Sequence, residues 1–594
     1  MAVPLNLVGR RRLMIGLAQG LVLYGLALAT TERRWPATDP FVFAPLFLAA
    51  LYVPIVAVLG LERLQPRHLG GWLAIVAVAL VGLALHDVSR RVGAPEGPPG
   101  FIWGTANRPS FELMIFAAAA LFIAHSLVMA AAAEGTAIAR YPVYFDAAWK
   151  QGVQFVLGWT FVGLFWLILQ LGAVMFSMLH LEFFQETIAK PWFSWPATFL
   201  SLATAIHLTD VAPGIIAGLR KLALTLMSWL LPLLLLIVVG FLGALAATSI
   251  TLLWNTRHGA QVVLSATGTL VFLANAAYQQ GPPRPGEDGH LPPPILAWSG
   301  MAVGPVALLL VALAGYATLL RVSQYGWTTN RVILSAIDGI AAVYAIGYTL
   351  AGPWSSTPRR RWETTNLISA CLTIAVILAL MSPVADPSHI AVASQIARLE
   401  TGRIAVEKFD FAAVRFDGQR YGQDALRRLA HGPDPFIGER AVAALATTNR
   451  FEAAQRRPPP SAGDIVANMV VFPAGHAVPS GLAVLEFPKN GVVTKPGCFT
   501  TPGRVCDVVV IGNSSADADM AVIFDPERAG FGVIAKAGPD GRWSAAATLP
   551  VGCKTVREAL LGGTYSLVQP AIPDFAIGHQ RLSPNRTDGF TCDD

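Results

Sequence analysis

The sequence predicts a polytopic α-helical membrane protein of about eleven transmembrane helices with a C-terminal soluble domain of α+β or mostly β character. Three observations predict it. Of 594 residues, 54% are apolar and only 13% charged, against about 25% charged in an ordinary soluble protein. The charge is unevenly spread: residues 386–594 hold 22 of the 37 acidic and 21 of the 43 basic residues, leaving 22 basic and 15 acidic, net +7, in residues 1–385. Before residue 386 the apolar residues gather into helix-length runs, and beyond it they do not.

A transmembrane helix needs about 20 apolar residues. Runs at 13–30, 41–61, 71–86, 111–132, 153–179, 192–207, 223–249, 260–278, 295–320, 330–351 and 366–383 meet that ruler, with 71–86 and 192–207 at the short end. Hydrophilic or Pro-rich breaks such as "TERRWPATDP", "GAPEGPPG" and "QQGPPRPGEDGHLPPP" separate them. The first run follows Arg10, Arg11 and Arg12 and contains "ALA" at 26–28, features it shares with a signal peptide, but the further spans behind it favour a retained helix.

Basic residues in short loops set orientation. With eleven spans and a cytoplasmic amino end, the inner loops carry thirteen Arg and Lys and the outer loops nine; if 192–207 only dips into the membrane, the count becomes ten against twelve. Eleven crossings fit the charge rule better and put everything after residue 386 outside the cytoplasm. The lipid bilayer is therefore the expected partner. With no basic stripe interleaved with aromatics, nucleic acid is not.

Cysteine usage points to the same compartment. Cys371 lies in a span, whereas Cys498, Cys506, Cys553 and Cys592 all lie in the tail. Four cysteines in an exported domain suggest disulfides with three connectivities. The preferred pairing is Cys498 with Cys506 and Cys553 with Cys592, because the first closes the short loop "CFTTPGRVC". No C-x-x-C or C-x-x-H pair is present for a tetrahedral metal site.

The chain then divides into a multispanning domain, 1–385; a mixed helix and strand connector, 386–455, with a helix from Gly422 to Ala430; a polar, Pro-rich linker, 456–464; and a β-rich, disulfide-containing domain, 465–594. In the last, "VANMVVF", "CDVVVIG", "MAVIF", "GFGVIAKA" and "RWSAAATL" read as strands bounded by turn residues.

Several runs carry a resemblance. "PWFSWPATFLSLATAIHLTDVAPGIIAGLRKLALTLMSWLLPLL", "NAAYQQG", "SQYGWTTNRV" and "VASQIARLETGRIAVEKFDFAAVRFDGQRYGQDALRRLA", within residues 1–430, resemble the bacterial multispanning membrane proteins of domain-of-unknown-function family 4153. That resemblance implies an inner-membrane protein of a Gram-negative bacterium and brings no activity with it. In the tail, "CDVVVIGNSSADADMAVIFDPERAGFGVIAKAGPDGRWSAAATL" is similar to a single FG-GAP-type repeat. The likeness would make Asn513, Asp517 and Asp519 loop oxygens and Gly541 with Trp543 a closing pair. "GNSSADAD" lacks the dense D-x-D-G-D-G run, however, and calcium needs about six to eight oxygens, so a polar turn is the better expectation.

Asp338, in "VILSAIDGIAAVY", puts a carboxylate inside an apolar span. At a helix centre that costs on the order of 2.5–3.5 kcal/mol, so it should face the bundle, where Ser335, Gly339, Ala342 and Ala345 allow close helix approach. Arg331, about 10 Å lower on nearly the same face, and Asn275, in the 260–278 run, are its candidate partners. Asp338 is either a proton or cation relay or a hydrogen-bonding lock between helices. With no second acid at matching depth, the lock is favoured.

A second polar group comprises His180, Glu182, Glu186, His207 and Asp210. Such ligands can bind a divalent metal, but His180 and His207 meet only if 192–207 is re-entrant, so ordinary polarity at span ends is expected instead. Phosphate loops, nucleophile elbows, zinc-protease motifs and dinucleotide fingerprints are all absent, so no cofactor and no catalytic residues are assigned. Three classes remain: an envelope-associated structural or sensing protein, with an envelope protein partner engaged through the C-terminal domain; a transporter or flippase using Asp338; and, least favoured, a membrane-embedded enzyme.

Overall fold

The computed structural model describes residues 7–92, 108–211, 213–248, 259–278, 293–352, 358–447, 462–488, 493, 495–500, 504–511, 519–526, 530–567, 575–577 and 580–582. The chain forms two compact units, 1–446 and 447–594.

The first unit is a helical bundle: α1 (Leu7–Thr31), α2 (Pro40–Gly60), α3 (Pro66–Arg91), α4 (Phe111–Glu134), α5 (Tyr141–Ser177), α6 (Phe183–Ala189), α7 (Pro191–Val211), α8 (Pro213–Ala247), α9 (Gly259–Tyr278), α10 (Pro294–Tyr325), α11 (Thr329–Leu350) and α12 (Pro358–Leu380). Among the described residues, ten of these are long and apolar enough to cross a membrane; the exceptions are α6 and α7. A polytopic helical membrane protein with a soluble sheet domain is what the structure shows.

Although α7 is more polar, it has 21 residues and runs antiparallel along α1. The pairing is dictated by Gly16 and Gly20, a small-x-x-x-small pattern that admits a second backbone. A Cβ on Gly16 would lie 2.5 Å from the Ala203 Cβ, and one on Gly20 would meet the Trp195 carbonyl at 2.8 Å. The α7 hydroxyls of Thr198 and Thr204 donate to carbonyls four residues back, at 2.7 and 2.8 Å, which satisfies them without water. The eleven spans expected from the sequence thus compare with ten qualifying helices among the described residues, α7 being the one that packs in the bundle without meeting the apolarity of the others.

Tight glycine contacts also set the second half of the bundle. Gly304 of α10 abuts the backbone of Tyr348 and Thr349 in α11, and Gly315 abuts Asp338, an antiparallel register. Two main apolar clusters result, one centred on α1 to α4 with α7, the other on α8 to α12.

Four helices follow: α13 (Pro387–Glu400), α14 (Phe411–Asp417), α15 (Gln419–Ala430) and α16 (Pro435–Ala446). Of the segment expected as a mixed helix and strand connector, the described residues 386–447 form helices and turns, with their own core of Val392, Ile396, Phe409, Phe411, Val414, Leu426 and Ala441. Phe411 and Val414 pack with Val392 and Ile396 of α13 and Ala425 and Leu426 of α15, so burial against neighbouring helices sets the conformation there.

The cap formed by these helices is clamped to one end of the bundle. Asp386 accepts from the Ser388 amide at 2.8 Å and so caps α13; its other oxygen lies 2.9 Å from His86 Nε2 near the end of α3. Arg90 reaches both Asp386 and Asp87, at 3.9 and 2.8 Å, and Ser110 ties Asp87 to α4. Gln395 donates to the Tyr325 and Trp327 carbonyls, each at 2.9 Å, and Arg398 to that of Gln324 at 2.7 Å.

The second unit contains a five-stranded sheet in the order β1 (Met469–Phe472), β2 (Cys506–Ile511), β3 (Met520–Phe524), β4 (Phe531–Ala537), β5 (Trp543–Pro550). The first pair is parallel and the rest antiparallel. Alternation buries Val508, Val510 and Ile523 on one face and Val509, Val522 and Phe524 on the other, which is why these strands read as near-continuous apolar runs. Two short helices, α17 (Ala462–Ala467) and α18 (Lys554–Leu561), and a hairpin of β6 (Phe575–Ile577) and β7 (Gln580–Leu582) complete it. Cys498 and Cys506 form a buried disulfide. Cys553 is buried, and Cys592 lies outside the described residues.

Candidate functional site

Asp338 sits midway along α11 with Oδ2 turned toward Gly315; its Oδ1 is buried and has no hydrogen-bond partner among the described residues. The two partners expected for it are engaged elsewhere. Arg331 donates to the Gly326 carbonyl at 2.6 Å and lies over the Tyr325 ring.

Asn275 belongs to a closed network at the other end of α11. Its amide donates to the Tyr348 hydroxyl at 2.7 Å and to the Val271 carbonyl at 3.0 Å. Tyr348 donates to Asn366 Oδ1 at 2.6 Å. The Asn366 amide donates to the Tyr141 hydroxyl and to Asn275 Oδ1, at 2.8 and 2.9 Å, and Tyr141 closes the circuit onto Asn275 Oδ1 at 3.3 Å. Every hydrogen on these four polar groups is used, so the network locks α5, α9, α11 and α12 together and leaves no donor for a ligand.

The group of His180, Glu182, Glu186, His207 and Asp210, for which the sequence favours ordinary span-end polarity over a metal site, is divided by α7. His180 is exposed in the turn after α5, with Glu182 and Glu186 at and in α6, whereas His207 and Asp210 lie near the opposite end of α7. His207 is buried, and neither ring nitrogen has a partner among the described residues. Among those residues no group of three or more His, Cys, Asp or Glu could hold a metal ion. In the tail, Asn513 and Asp517 lie outside the described residues, and the Asp519 carbonyl accepts from the Ala537 amide at 2.8 Å. Gly541 takes a positive φ in the β4–β5 turn, and Trp543 is buried with its Nε1 on the Ser480 carbonyl.

Asp210 instead is the centre of a cation cluster. Arg12 of α1 reaches Oδ2 at 2.6 Å, Arg63 in the α2–α3 turn pairs with Oδ1, and Lys150 of α5 lies 3.4 Å from it. Gln154, one turn beyond Lys150, donates to Oδ1 at 2.9 Å. Arg12 is fully buried and its Nε has no partner among the described residues. Since Arg63 precedes α3 and Arg90 lies in its last turn, the Asp210 cluster and the Asp386 clamp lie at opposite ends of a helix about 39 Å long.

Gln154 also lines a cleft of about 280 Å³ between α2, α4, α5 and α7, with Tyr52, Leu59, Phe122, His125 and Leu202 among its walls. Its polar lining comes mainly from His125, Gln151 and Gln154. His125 is 1% exposed. Because the Trp72 indole can only donate, its 3.1 Å bond to Nδ1 makes that nitrogen the acceptor and puts the neutral ring's proton on Nε2. Nε2 has no partner among the described residues.

Sequence reasoning missed this arrangement. Arg12, Arg63 and Lys150 entered only as loop charges. His125, an ionisable group deep in an apolar span, carried the one signal that could have flagged the cleft. Comparison with protein-family models, curated proteins and solved structures finds no match for this chain.

Proposed function

We propose that this integral membrane protein is an envelope-associated scaffold or sensor of the bacterial inner membrane, with its amino end cytoplasmic and everything from residue 386 onward periplasmic. The observation that carries the reading is the clamp through which Asp386, Arg398 and Gln395 fasten the cap to the ends of α3, α10 and α11. A domain bonded to three span ends transmits its position to the bundle, as a sensor requires. The Arg and Lys bias of the loops and the disulfide in the tail support the sidedness, and the resemblance to family 4153 supports the membrane assigned. The tail unit is the surface on which an envelope protein would dock.

The second reading, a transporter or flippase, is favoured by the unpartnered Oδ1 of Asp338. Against it, Asp338 is not among the residues lining the cleft among α2, α4, α5 and α7 or the one among α4, α5, α9, α11 and α12. Single cysteines placed at Arg359 to Arg361 and in the tail, labelled in intact cells, test sidedness: only the tail positions should react. Asp386→Asn should abolish the envelope phenotype of a deletion strain's complementation, and Asp338→Asn should not. The reverse pattern would make the carrier the better reading.

A further inference from the structure

We propose that the cleft between α2, α4, α5 and α7 is a lipid site: it takes one acyl chain of an anionic glycerophospholipid, whose ester carbonyl accepts from His125 Nε2 and whose phosphate meets Lys150 and Arg63. This goes beyond the scaffold reading and does not rest on it.

The walls are almost wholly apolar, which suits a hydrocarbon chain and not a polar solute. About 280 Å³ lies just below the range of pockets for drug-sized ligands, about 300–1,000 Å³, so the cleft accommodates a chain and not a whole lipid. Phe155 and Trp159 line it and are exposed on the outer face of α5, so its mouth opens sideways into the region where lipid chains lie. Of the polar groups that line it, Gln151 is bonded to Ser126 and Gln154 to Asp210, which leaves His125 to meet a polar atom of the occupant. That ring is fixed by Trp72, and its Nε2 hydrogen is left over. A buried donor without an acceptor carries an uncompensated desolvation penalty, which an ester oxygen entering with the chain would relieve.

Charge selects the headgroup. At the cluster joined to the cleft by Gln154, three cations, Arg12, Arg63 and Lys150, converge on the single carboxylate of Asp210. Two positive charges are left over at the depth where a phosphate would sit. Arg12 is sealed, but Arg63 and Lys150 keep 26% and 37% of their side chains exposed, enough to reach an anion from the lipid side. A zwitterionic headgroup would bring its own cation into the same field.

The test is native mass spectrometry of the full chain released from nanodiscs made of phosphatidylethanolamine and phosphatidylglycerol. The expected result is one phosphatidylglycerol retained per chain after delipidation. Ala118→Phe, which fills the cleft from α4, should lose it, and Lys150→Gln should reduce the preference for phosphatidylglycerol over phosphatidylethanolamine at least threefold. Should Ala118→Phe misfold, a phosphatidylglycerol with a diazirine on its chain replaces it: in the wild-type protein the crosslink should map to α4 or α5 around His125 and Phe155. Equal retention of the two lipids by the wild type, unchanged retention by folded Ala118→Phe, or crosslinks confined to other helices would each overturn the proposal. Retention of free fatty acid in place of phospholipid would overturn the headgroup assignment with it.

Discussion

His86 and Asp386 stand 300 residues apart in sequence and 2.9 Å apart in space, with both side chains buried. The bond joins the end of the third helix to the residue that caps the first helix of the cap. Burial by itself pushes the Asp386 carboxyl up, but the His86 hydrogen bond, the Arg90 guanidinium and the Ser388 amide outweigh it and hold the group below the usual carboxylate range.

The sign of that shift predicts a pH response. A carboxylate whose native pKa is depressed contributes stability that is fully present above its unfolded value, about 3.9, and lost as pH falls through the lower native value. Hydrogen exchange of residues 387–446 should therefore stay slow from neutral pH down to about 5 and accelerate below about 4. Asp386→Asn should produce the loosened cap at neutral pH, at a cost of about 3 kcal/mol, the low end for removing one partner of a buried pair. Unchanged exchange in this variant would remove the clamp from the account.

The contact between α1 and α7 predicts a contrast among glycines. Gly20→Ala drives a methyl into the backbone at Trp195 and Pro196 and should destabilise the bundle by about 1–3 kcal/mol, the range for overpacking. Gly25, with open space around its missing Cβ, should accept Ala with no loss of thermal midpoint in detergent. Equal tolerance at both sites would mean that α7 does not lie along α1.

Tyr348→Phe removes the hydroxyl that both accepts from Asn275 and donates to Asn366. Interhelical hydrogen bonds in membranes are worth about 0.6 kcal/mol on average and reach about 1.7. A loss of about 1–2 kcal/mol in a reversible unfolding assay is expected for this doubly bonded group. Asn275→Ala in the Tyr348→Phe background should then cost less than in the wild type, because one of its bonds is already gone.

In the tail, Cys498 and Cys506 are 8 residues apart. Closing a loop of that length restrains the unfolded chain by about 2.5 kcal/mol. The double change to Ser should lower the denaturant midpoint of the tail unit accordingly, read from Trp543 fluorescence, while leaving the bundle's exchange pattern unaltered.

The membrane class, the spans and the strands of the tail were legible because each is a local matter. Twenty apolar residues in a row have one stable environment, and "CDVVVIG" and "MAVIF" have the short β-branched form that a two-sided sheet needs. Even α7 was visible, although its Ser, Thr and His residues dilute its apolarity. The cap was only partly so: Gly422 to Ala430 read as helix, while the helix at Phe411–Asp417 is too short to show a helical period by itself and is buried against α13 and α15.

What the sequence by itself determined is the class, a series of helices long and apolar enough to cross a membrane followed by a sheet domain, because transfer from water to lipid is summed residue by residue along the chain. What only the tertiary structure decided is which polar groups meet. Arg12, Arg63 and Lys150 surround Asp210, His86 holds Asp386, and Asn275 turns to Tyr348 and away from Asp338, because a buried polar group takes whatever partner the packing of distant helices brings within about 3 Å.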